Sequence, residues 1–143
     1  SYLKEYNEIA ICGSMFPELI EKTVDLRKLL EYSIISLGKQ TKTYDYYHEW
    51  FVKNGLHFAS DIEVATADQI LPLVKNNLGI GFVPKDFLQD EDKGNVFTIK
   101  LKEKIPARFI CYIKRKDQTL SIAARELERM IMEYCVYDDG SFC

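Results

Sequence analysis

The sequence predicts a mixed α/β fold in which short apolar strands alternate with amphipathic helices. The clearest unit spans residues 61–84, where a strand, a helix, a glycine turn and a second strand follow one another. Thr66 and Gln69 have the spacing of a capping box at the helix start, and Pro84 ends the second strand. Two strands joined through a helix are expected to run parallel. At 143 residues, 47% of them hydrophobic, the chain is long enough to bury one core.

The other elements follow from the same periodicity and from turn residues. Strands are expected at 8–13, 33–37, 61–64, 80–83, 96–101 and 108–114. Helices are expected after a cap at Asp25, from the turn at 38–43 to about 54, from Thr66 to a turn at 76–79, and from 119 to 134. The tail from Val136 to Cys143 is expected to fray.

Helical spacing assigns one face of each helix to the core. The face of the helix after Asp25 comprises Leu26, Leu29 and Leu30, and that of the helix after the 38–43 turn comprises Tyr44, Tyr47, Trp50 and Phe51. The face of the helix after Thr66 comprises Ala67, Ile70, Leu71, Val74 and Leu78, and that of the last helix comprises Leu120, Ala123, Leu127, Met130, Ile131 and Tyr134. The aromatic residues could also stack on a ligand, but their regular spacing favours packing.

A donor-rich turn joins the strand at 33–37 to the aromatic helix. Its residues are Gly38, Lys39, Gln40, Thr41, Lys42 and Thr43. The turn leaves the carboxyl end of a strand and enters a helix, which is where open α/β sheets bind ligands. Its cations, amide and hydroxyls suit an anion, although the same residues are common in solvated turns. Tyr44, beside the turn, is the aromatic residue expected to touch a ligand.

The helix start at Thr66 is the second candidate site. The backbone N–H groups in the first turn of a helix favour an anion, and here that first turn starts at Thr66 and Ala67. Gly81, which lacks a β-carbon, would let a ligand or another backbone approach closely. Phe82 lies next to Gly81 in the sequence. The residues predicted to bind a ligand are therefore Gly38, Lys39, Gln40, Thr41, Tyr44, Thr66, Ala67, Gly81 and Phe82. An ordinary strand-helix-strand unit with a good cap and a packing glycine would explain the same residues.

Several functions lack support in the sequence. No apolar run approaches the ~20 residues of a membrane span, and a net charge of −3 argues against a surface for nucleic acid. The cysteines Cys12, Cys111, Cys135 and Cys143 show no metal spacing, and unpaired thiols suit a reducing cytoplasm. The chain shows no nucleophile elbow, phosphate-binding loop or metal cluster, so we predict no enzyme, no cofactor and no metal.

Four segments together resemble the effector-binding domain of LysR-type transcriptional regulators. They are VDLRKL at 24–29 followed by SIISL at 33–37, LV at 73–74, LGIGFVP at 78–84, and SIAAR at 121–125. The resemblance runs from roughly Glu8 to Met132 in the order and spacing of the family. It implies a periplasmic-binding-protein-like (type II) bilobal α/β fold, with one subdomain complete and the other partial.

The resemblance also implies an organisation of the chain. Residues 1–13 would be the end of subdomain I and the first crossover strand, and residues 14–107 would be subdomain II. Residues 108–143 would be the second crossover strand and a helix returning to subdomain I. The winged helix-turn-helix of the family has no counterpart here, so the chain is expected to be a fragment, with Ser1 a scar of tag removal. Cys12 and Cys111 would lie on crossover strands that run side by side, as packed free thiols.

For function, the resemblance implies a cytoplasmic ligand-sensing domain. The 38–43 turn and the start at Thr66 would hold a small effector, most often a carboxylate, in the cleft between subdomains. Copies would pair antiparallel through the helix after Thr66 and the strand before it, as a dimer or tetramer. DNA would be contacted only through the missing N-terminal domain, and no membrane is involved. The alternatives are an exported solute-binding protein of the same fold or a bilobal-fold enzyme.

Overall fold

The computed structural model describes residues 2–139, and the side chains of residues 3–134. These residues divide into two compact units, Asn7–Pro106 and a second unit formed by the two ends of the chain. The division into subdomain and crossover segments expected from the resemblance stays a prediction. The expected tag scar at Ser1 and residues 140–143 lie outside the described residues. The tail from Val136 is expected to fray, but its first part, as far as Asp139, is helical.

The secondary structure alternates strands and helices along the chain. The strands are β1 (Tyr2–Tyr6), β2 (Glu8–Gly13), β3 (Ile34–Leu37), β4 (Ile62–Val64), β5 (Ile80–Pro84), β6 (Val96–Ile99) and β7 (Arg108–Cys111). The α-helices are α1 (Pro17–Ile20), α2 (Lys42–Lys53), α3 (Ile70–Lys75) and α4 (Ile122–Asp139). Short 3-10 helices cover Leu26–Glu31, Ala67–Gln69, Lys85–Phe87 and Asp90–Asp92. The predicted elements occur in the predicted order, and β1 and α1 are the elements that periodicity missed.

The Asn7–Pro106 unit is built on a mixed five-stranded sheet of order β4-β3-β5-β2-β6. Strand β3 pairs in parallel with both β4 and β5, whereas β2 pairs antiparallel with β5 and β6. The prediction that the strands of the 61–84 unit run parallel is confirmed. They are not neighbours, however, because β3 lies between them.

Alternate residues of the central strands enter two separate clusters on opposite faces of the sheet. Ala10 of β2 belongs to the cluster that holds the aromatic face of α2, whereas Ile11 belongs to the cluster that holds Ile70 and Val74 of α3. A strand points successive side chains to opposite faces, so α2 and α3 cover different faces. Full burial of a side chain such as Phe51, which is 0% exposed, stabilises the fold by about 1.5–3 kcal/mol.

Helix α2 has the boundaries and the buried face expected from the sequence. The Thr41 hydroxyl caps its start by accepting the N–H of Tyr44 at 3.1 Å, and Gly55 follows its end with a φ of 71°. A left-handed residue after a helix is least costly as glycine. Tyr44, Tyr47, Trp50 and Phe51 are all buried, which confirms the prediction that this aromatic face packs in the core.

Three assignments of core or cap residues are wrong. Leu30 is 39% exposed and Leu78 is 52% exposed, because each lies at the end of a helical turn rather than over the sheet. The Asp25 side chain makes no cap hydrogen bond. Instead it forms an ion pair with Lys102 at 2.9 Å, a partner that lies far away in the sequence.

The unit formed by the chain ends pairs β1 antiparallel with β7, with Tyr6 opposite Arg108. Its longest element is α4, whose predicted inward face is wrong. Leu127, Met130 and Tyr134 are 57%, 56% and 71% exposed, because this unit offers α4 only a two-stranded ribbon to pack on. Over residues 2–139, no helix combines the length and apolar content needed to cross a membrane.

Candidate ligand-binding edge of the sheet

The two segments predicted to bind a ligand leave the sheet side by side. In the parallel pair β3–β4, Leu37 lies opposite Val64 at the carboxyl ends of the strands. The chain then continues into Gly38 on one strand and Ala65 on the other. Carboxyl ends of neighbouring parallel strands are the usual position of a ligand in open α/β sheets. The structure therefore brings the 38–41 turn and the Thr66–Ala67 turn to one edge.

The 38–41 turn is closed by its own hydrogen bonds. The N–H of Thr41 donates to the Gly38 carbonyl at 3.0 Å, and the Thr41 hydroxyl donates to the same oxygen at 2.8 Å. Because that hydroxyl also caps α2, it is already engaged on both sides. The exposed side chains of Lys39 and Gln40 therefore remain as the groups of the turn that can reach a ligand.

The second turn carries the predicted capping box. The Gln69 side-chain oxygen accepts the N–H of Ala65 at 2.9 Å and that of Thr66 at 3.3 Å. Within residues 2–139, the N–H groups of Ala67 and Asp68 have no hydrogen-bond partner. These first-turn donors suit an anion, so the capping box and the ligand prediction are compatible at this position.

Glu63 reaches the same edge, and sequence reasoning missed it. A β-carbon added at Gly38 would overlap the Oε1 atoms of both Glu63 and Gln40, so these side chains lie directly over the Gly38 backbone. In the sequence, Glu63 alternates with Asp61, which suggests only a solvated strand face. The strand register, which places Glu63 opposite Ser36, is the signal that sequence periodicity lacks.

Ser36 adds a buried hydroxyl beneath this edge. It is 4% exposed, and its Oγ donates to the carbonyl of Leu37, the next residue, at 3.1 Å. Paired residues on parallel strands point to the same face of a sheet, so Ser36 and Glu63 share a face. The end of this strand pair therefore carries a hydroxyl and a carboxylate beside the donors of the turn.

Three of the predicted ligand-binding residues lie inside the protein core. Tyr44 is 8% exposed and Phe82 is 3% exposed, and Phe82 stacks on Tyr47 with ring centroids 4.8 Å apart. A β-carbon at Gly81 would lie 2.5 Å from Cγ2 of Ile70, so a helix side chain fills the space beside this glycine. Contact of these three residues with a ligand stays a prediction.

A buried acid lies on the α2 face at the start of β2. Glu8 is 6% exposed, and the hydroxyl of Tyr47 donates to its Oε2 at 2.7 Å. Glu8 also lines a groove of about 280 Å³ together with Thr98 and Lys104. The spacing of the aromatic residues predicts Tyr47 only as a core residue, because nothing local indicates its partner 39 positions away.

A second buried acid holds the 89–95 loop to α3. Asp92 is 3% exposed; it forms an ion pair with Lys75 and accepts the N–H of Gln89 at 2.7 Å. The hydrogen bond from Lys75 is the largest cause that lowers the pKa of Asp92 below 3.8, followed by the bond from Gln89. The charged segment 89–95 is therefore anchored through this carboxylate.

The described cysteines are free thiols in different surroundings. Cys12 is buried and Cys111 is exposed, and they lie opposite Phe97 and Tyr2, respectively, in their strand ladders. Burial, with a smaller contribution from Glu18, raises the pKa of Cys12 to about 11. Cys12 is therefore protonated and unreactive at neutral pH.

The described residues contain no group of three or more histidine, cysteine or acidic side chains that could hold a metal ion. His48 and His57 approach each other edge to face, with ring centroids 6.3 Å apart.

Comparison with models of protein families shows to which family the chain belongs. The model of the LysR substrate binding domain matches residues 8–136. The chain belongs to this family. None of the curated proteins matches the sequence.

Solved structures of LysR-family domains are similar to the chain in fold. The effector-binding domain of QuiR in complex with shikimate has a TM-score of 0.78 and 17% identity, with 99% of this chain and 66% of that chain covered. The regulatory domain of CcmR from Synechocystis in complex with 2-PG has a TM-score of 0.81 and 11% identity, with 96% and 67% covered. A full-length BenM mutant has a TM-score of 0.67 and 18% identity, with 100% and 47% covered.

These similarities confirm the predicted α/β, periplasmic-binding-protein-like (type II) fold of LysR effector-binding domains. The chain spans about two thirds of the two domain structures and about half of the full-length regulator. The family consists of regulatory substrate-binding domains rather than enzymes.

Proposed function

We propose that this chain is the ligand-sensing domain of a LysR-type transcriptional regulator and that it binds a small anionic effector at the β3–β4 edge. The observation that carries this proposal is the pairing of Leu37 with Val64. This pairing brings two capped turns with outward donors to one edge of a LysR-family fold. Shikimate and 2-PG, named with two structures of similar fold, are consistent with a small effector.

The donors at this edge come from two directions. Lys39 and Gln40 supply a cation and an amide from one turn, and Ala67 and Asp68 supply backbone N–H groups from the other. Helix α2, which is 12 residues long, adds the positive end of its dipole behind the first turn. A carboxylate between these turns would accept hydrogen bonds from both, and its binding would join the ends of β3 and β4.

A thermal-shift screen of small carboxylates tests the proposal. A ligand present at about 100 times its Kd stabilises the fold by about 2.7 kcal/mol, which raises Tm by about 5–10 °C for a domain of this size. Lys39→Gln should weaken binding about threefold to tenfold without unfolding the chain. Lys53→Gln, at the opposite end of α2, makes the same charge change and should leave binding unaltered. If no carboxylate shifts Tm, the anion proposal fails.

We also propose that copies of the chain associate through β4 and α3. Strand β4 forms one edge of the sheet. A groove of about 400 Å³ beside it is lined by Val64, Ala65, Pro72 and Leu73. An unpaired edge with apolar side chains favours pairing with another chain. Regulation would then follow from effector binding that changes the geometry of the oligomer, in the cytoplasm and with DNA bound through a separate domain.

Light scattering across micromolar concentrations tests this association. We expect a mass above that of the monomer, and we expect Leu73→Lys to lower it, because a charge would enter the groove. Leu78→Lys is the control, since Leu78 is 52% exposed and does not line the groove. A monomeric mass for the unaltered chain would contradict the proposal.

A further inference from the structure

Glu63 places a negative charge where the proposed effector carries one. Its Oε1 lies over the Gly38 backbone, next to the Gln40 side-chain amide. The same residue lies opposite the buried Ser36 hydroxyl in the β3–β4 ladder. Glu63 therefore borders the edge at which the two donor turns meet.

The Glu63 carboxylate is not neutralised by a neighbouring side chain. Throughout residues 3–134, no hydrogen bond or ion pair engages the side chain of Glu63, whereas the side chain of the nearby Asp61 accepts the N–H of Ile34 at 3.0 Å. Lys42, at the start of α2, pairs with Asp45 at 3.1 Å and does not pair with Glu63. Glu63 is exposed, so its carboxylate lies on the solvent side of the edge with oxygen atoms that can accept hydrogen bonds from a ligand.

A simple anion gains from the donors of the turns but is repelled by this carboxylate. An effector that carries a hydrogen-bond donor beside its anionic group avoids the repulsion and gains a charge-assisted hydrogen bond. We propose that Glu63 is a specificity-determining residue that selects carboxylates with a neighbouring ammonium or hydroxyl group. This inference rests on the proposed function and names the class of effector for the same site.

Packing supports this role for Glu63. At Gly38 the absence of a β-carbon leaves room for the Glu63 and Gln40 side chains to lie together over the turn. The carboxylate accepts and the amide both donates and accepts, so the pair can bind a donor and an acceptor on adjacent atoms of one ligand. An ammonium or hydroxyl would be bound by Glu63, and the neighbouring carboxylate would reach Gln40 and Lys39.

Matched acids on one carbon skeleton test the inference. Propionate, lactate and alanine differ only in the group beside the carboxylate, as do 3-phenylpropionate, phenyllactate and phenylalanine. Titration calorimetry with the 143-residue chain should show that the amino or hydroxy member of at least one series binds at least about tenfold more tightly than the unsubstituted acid. In Glu63→Gln this ratio should fall to within about twofold. Glu49→Gln, an exposed position of α2 with the same charge change, should keep the ratio.

Each outcome separates the inference from the proposed function. If the unsubstituted acids bind as tightly as their amino and hydroxy partners, or if Glu63→Gln keeps the ratio, the inference is wrong and the effector site stands. If Glu63→Gln weakens all acids of a series equally and lowers Tm, Glu63 only orders the turn, and the inference is again wrong. If none of the six acids binds to the unaltered chain, the inference is wrong, and the thermal-shift screen of carboxylates decides the anion site separately.

Discussion

Replacement of Gly81 by alanine tests whether this glycine serves packing between a strand and a helix. The added β-carbon would lie 2.5 Å from Cγ2 of Ile70, 3.4 Å from Cγ2 of Val74 and 3.6 Å from the Ile35 carbonyl oxygen. Carbon atoms in contact are normally about 3.5–4.0 Å apart, so the Ile70 side chain, or α3 with it, must shift by about 1 Å. Overpacking of this kind costs about 1–3 kcal/mol. The expected fall in Tm is about 3–10 °C.

A double-mutant cycle with Ile70 tests whether the clash with this side chain causes the loss of stability in Gly81→Ala. Ile70 is 3% exposed, so Ile70→Ala alone should cost about 2–5 kcal/mol through the cavity it leaves. In that background the Gly81→Ala change should be almost neutral, because the clashing methyl group has gone and the new one fills part of the space. The coupling free energy measured by urea unfolding should therefore be about 1–3 kcal/mol.

Gly55→Ala is the matched control. Gly55 has a φ of +71° with no atom near its added β-carbon, so its cost comes from the backbone alone and should simply add to that of Ile70→Ala. The packing explanation would be refuted if Gly81→Ala cost less than about 0.5 kcal/mol, or if its cost added to that of Ile70→Ala within about 0.5 kcal/mol. Gly81 would then remain available for the close ligand approach considered from the sequence.

Three further perturbations test other parts of the structure. Asp92→Asn should lower the free energy of unfolding at neutral pH. Because Lys75 holds the pKa of Asp92 below 3.8, the stabilisation is complete above that pH and is lost as the pH falls through the lowered value. The variant should therefore lose less stability on acidification, measured by urea unfolding. Tyr47→Phe should cost about 1.5–3 kcal/mol, because it removes a hydrogen bond to the buried Glu8 carboxylate. Cys12, whose pKa is raised to about 11, should react with iodoacetamide only in the unfolded chain, as read by peptide mass spectrometry.

Controls for these perturbations come from the same chain. Asp90→Asn changes the charge of an exposed residue in the same loop and should have little effect on stability. Tyr46→Phe removes a hydroxyl that donates to the Pro106 carbonyl at an exposed position, so it should cost less than Tyr47→Phe. Equal costs for the two tyrosines would contradict the role of the buried acid, and rapid alkylation of Cys12 in the folded chain would contradict its burial.

The local features of the fold were predictable from the sequence. The aromatic face of α2, the capping box at Thr66 and the end of α2 at Gly55 all depend on residues within about four positions of one another. Such signals do not require knowledge of the rest of the chain. The resemblance to the LysR family added the fold, which the family model confirms over residues 8–136.

The exposed face of α4 shows where local signals are insufficient. The spacing of Leu127, Met130 and Tyr134 indicates an amphipathic helix, but it cannot show what lies opposite that helix. In the structure these three side chains are more than half exposed, since the unit offers only the β1–β7 ribbon. Periodicity identifies which residues share a face, whereas burial of that face depends on a partner element.

The sequence by itself determined the order of the predicted elements, the capping box at Thr66 and the positions of the two donor turns. Only the tertiary structure decided that β3 lies between β4 and β5, that Glu63 covers Gly38 and that Tyr47 binds Glu8. The physical reason is the range of the interactions: capping and helical periodicity act within a few residues. Strand order and register pair residues that are tens of positions apart, and no local pattern records which strand will lie beside which.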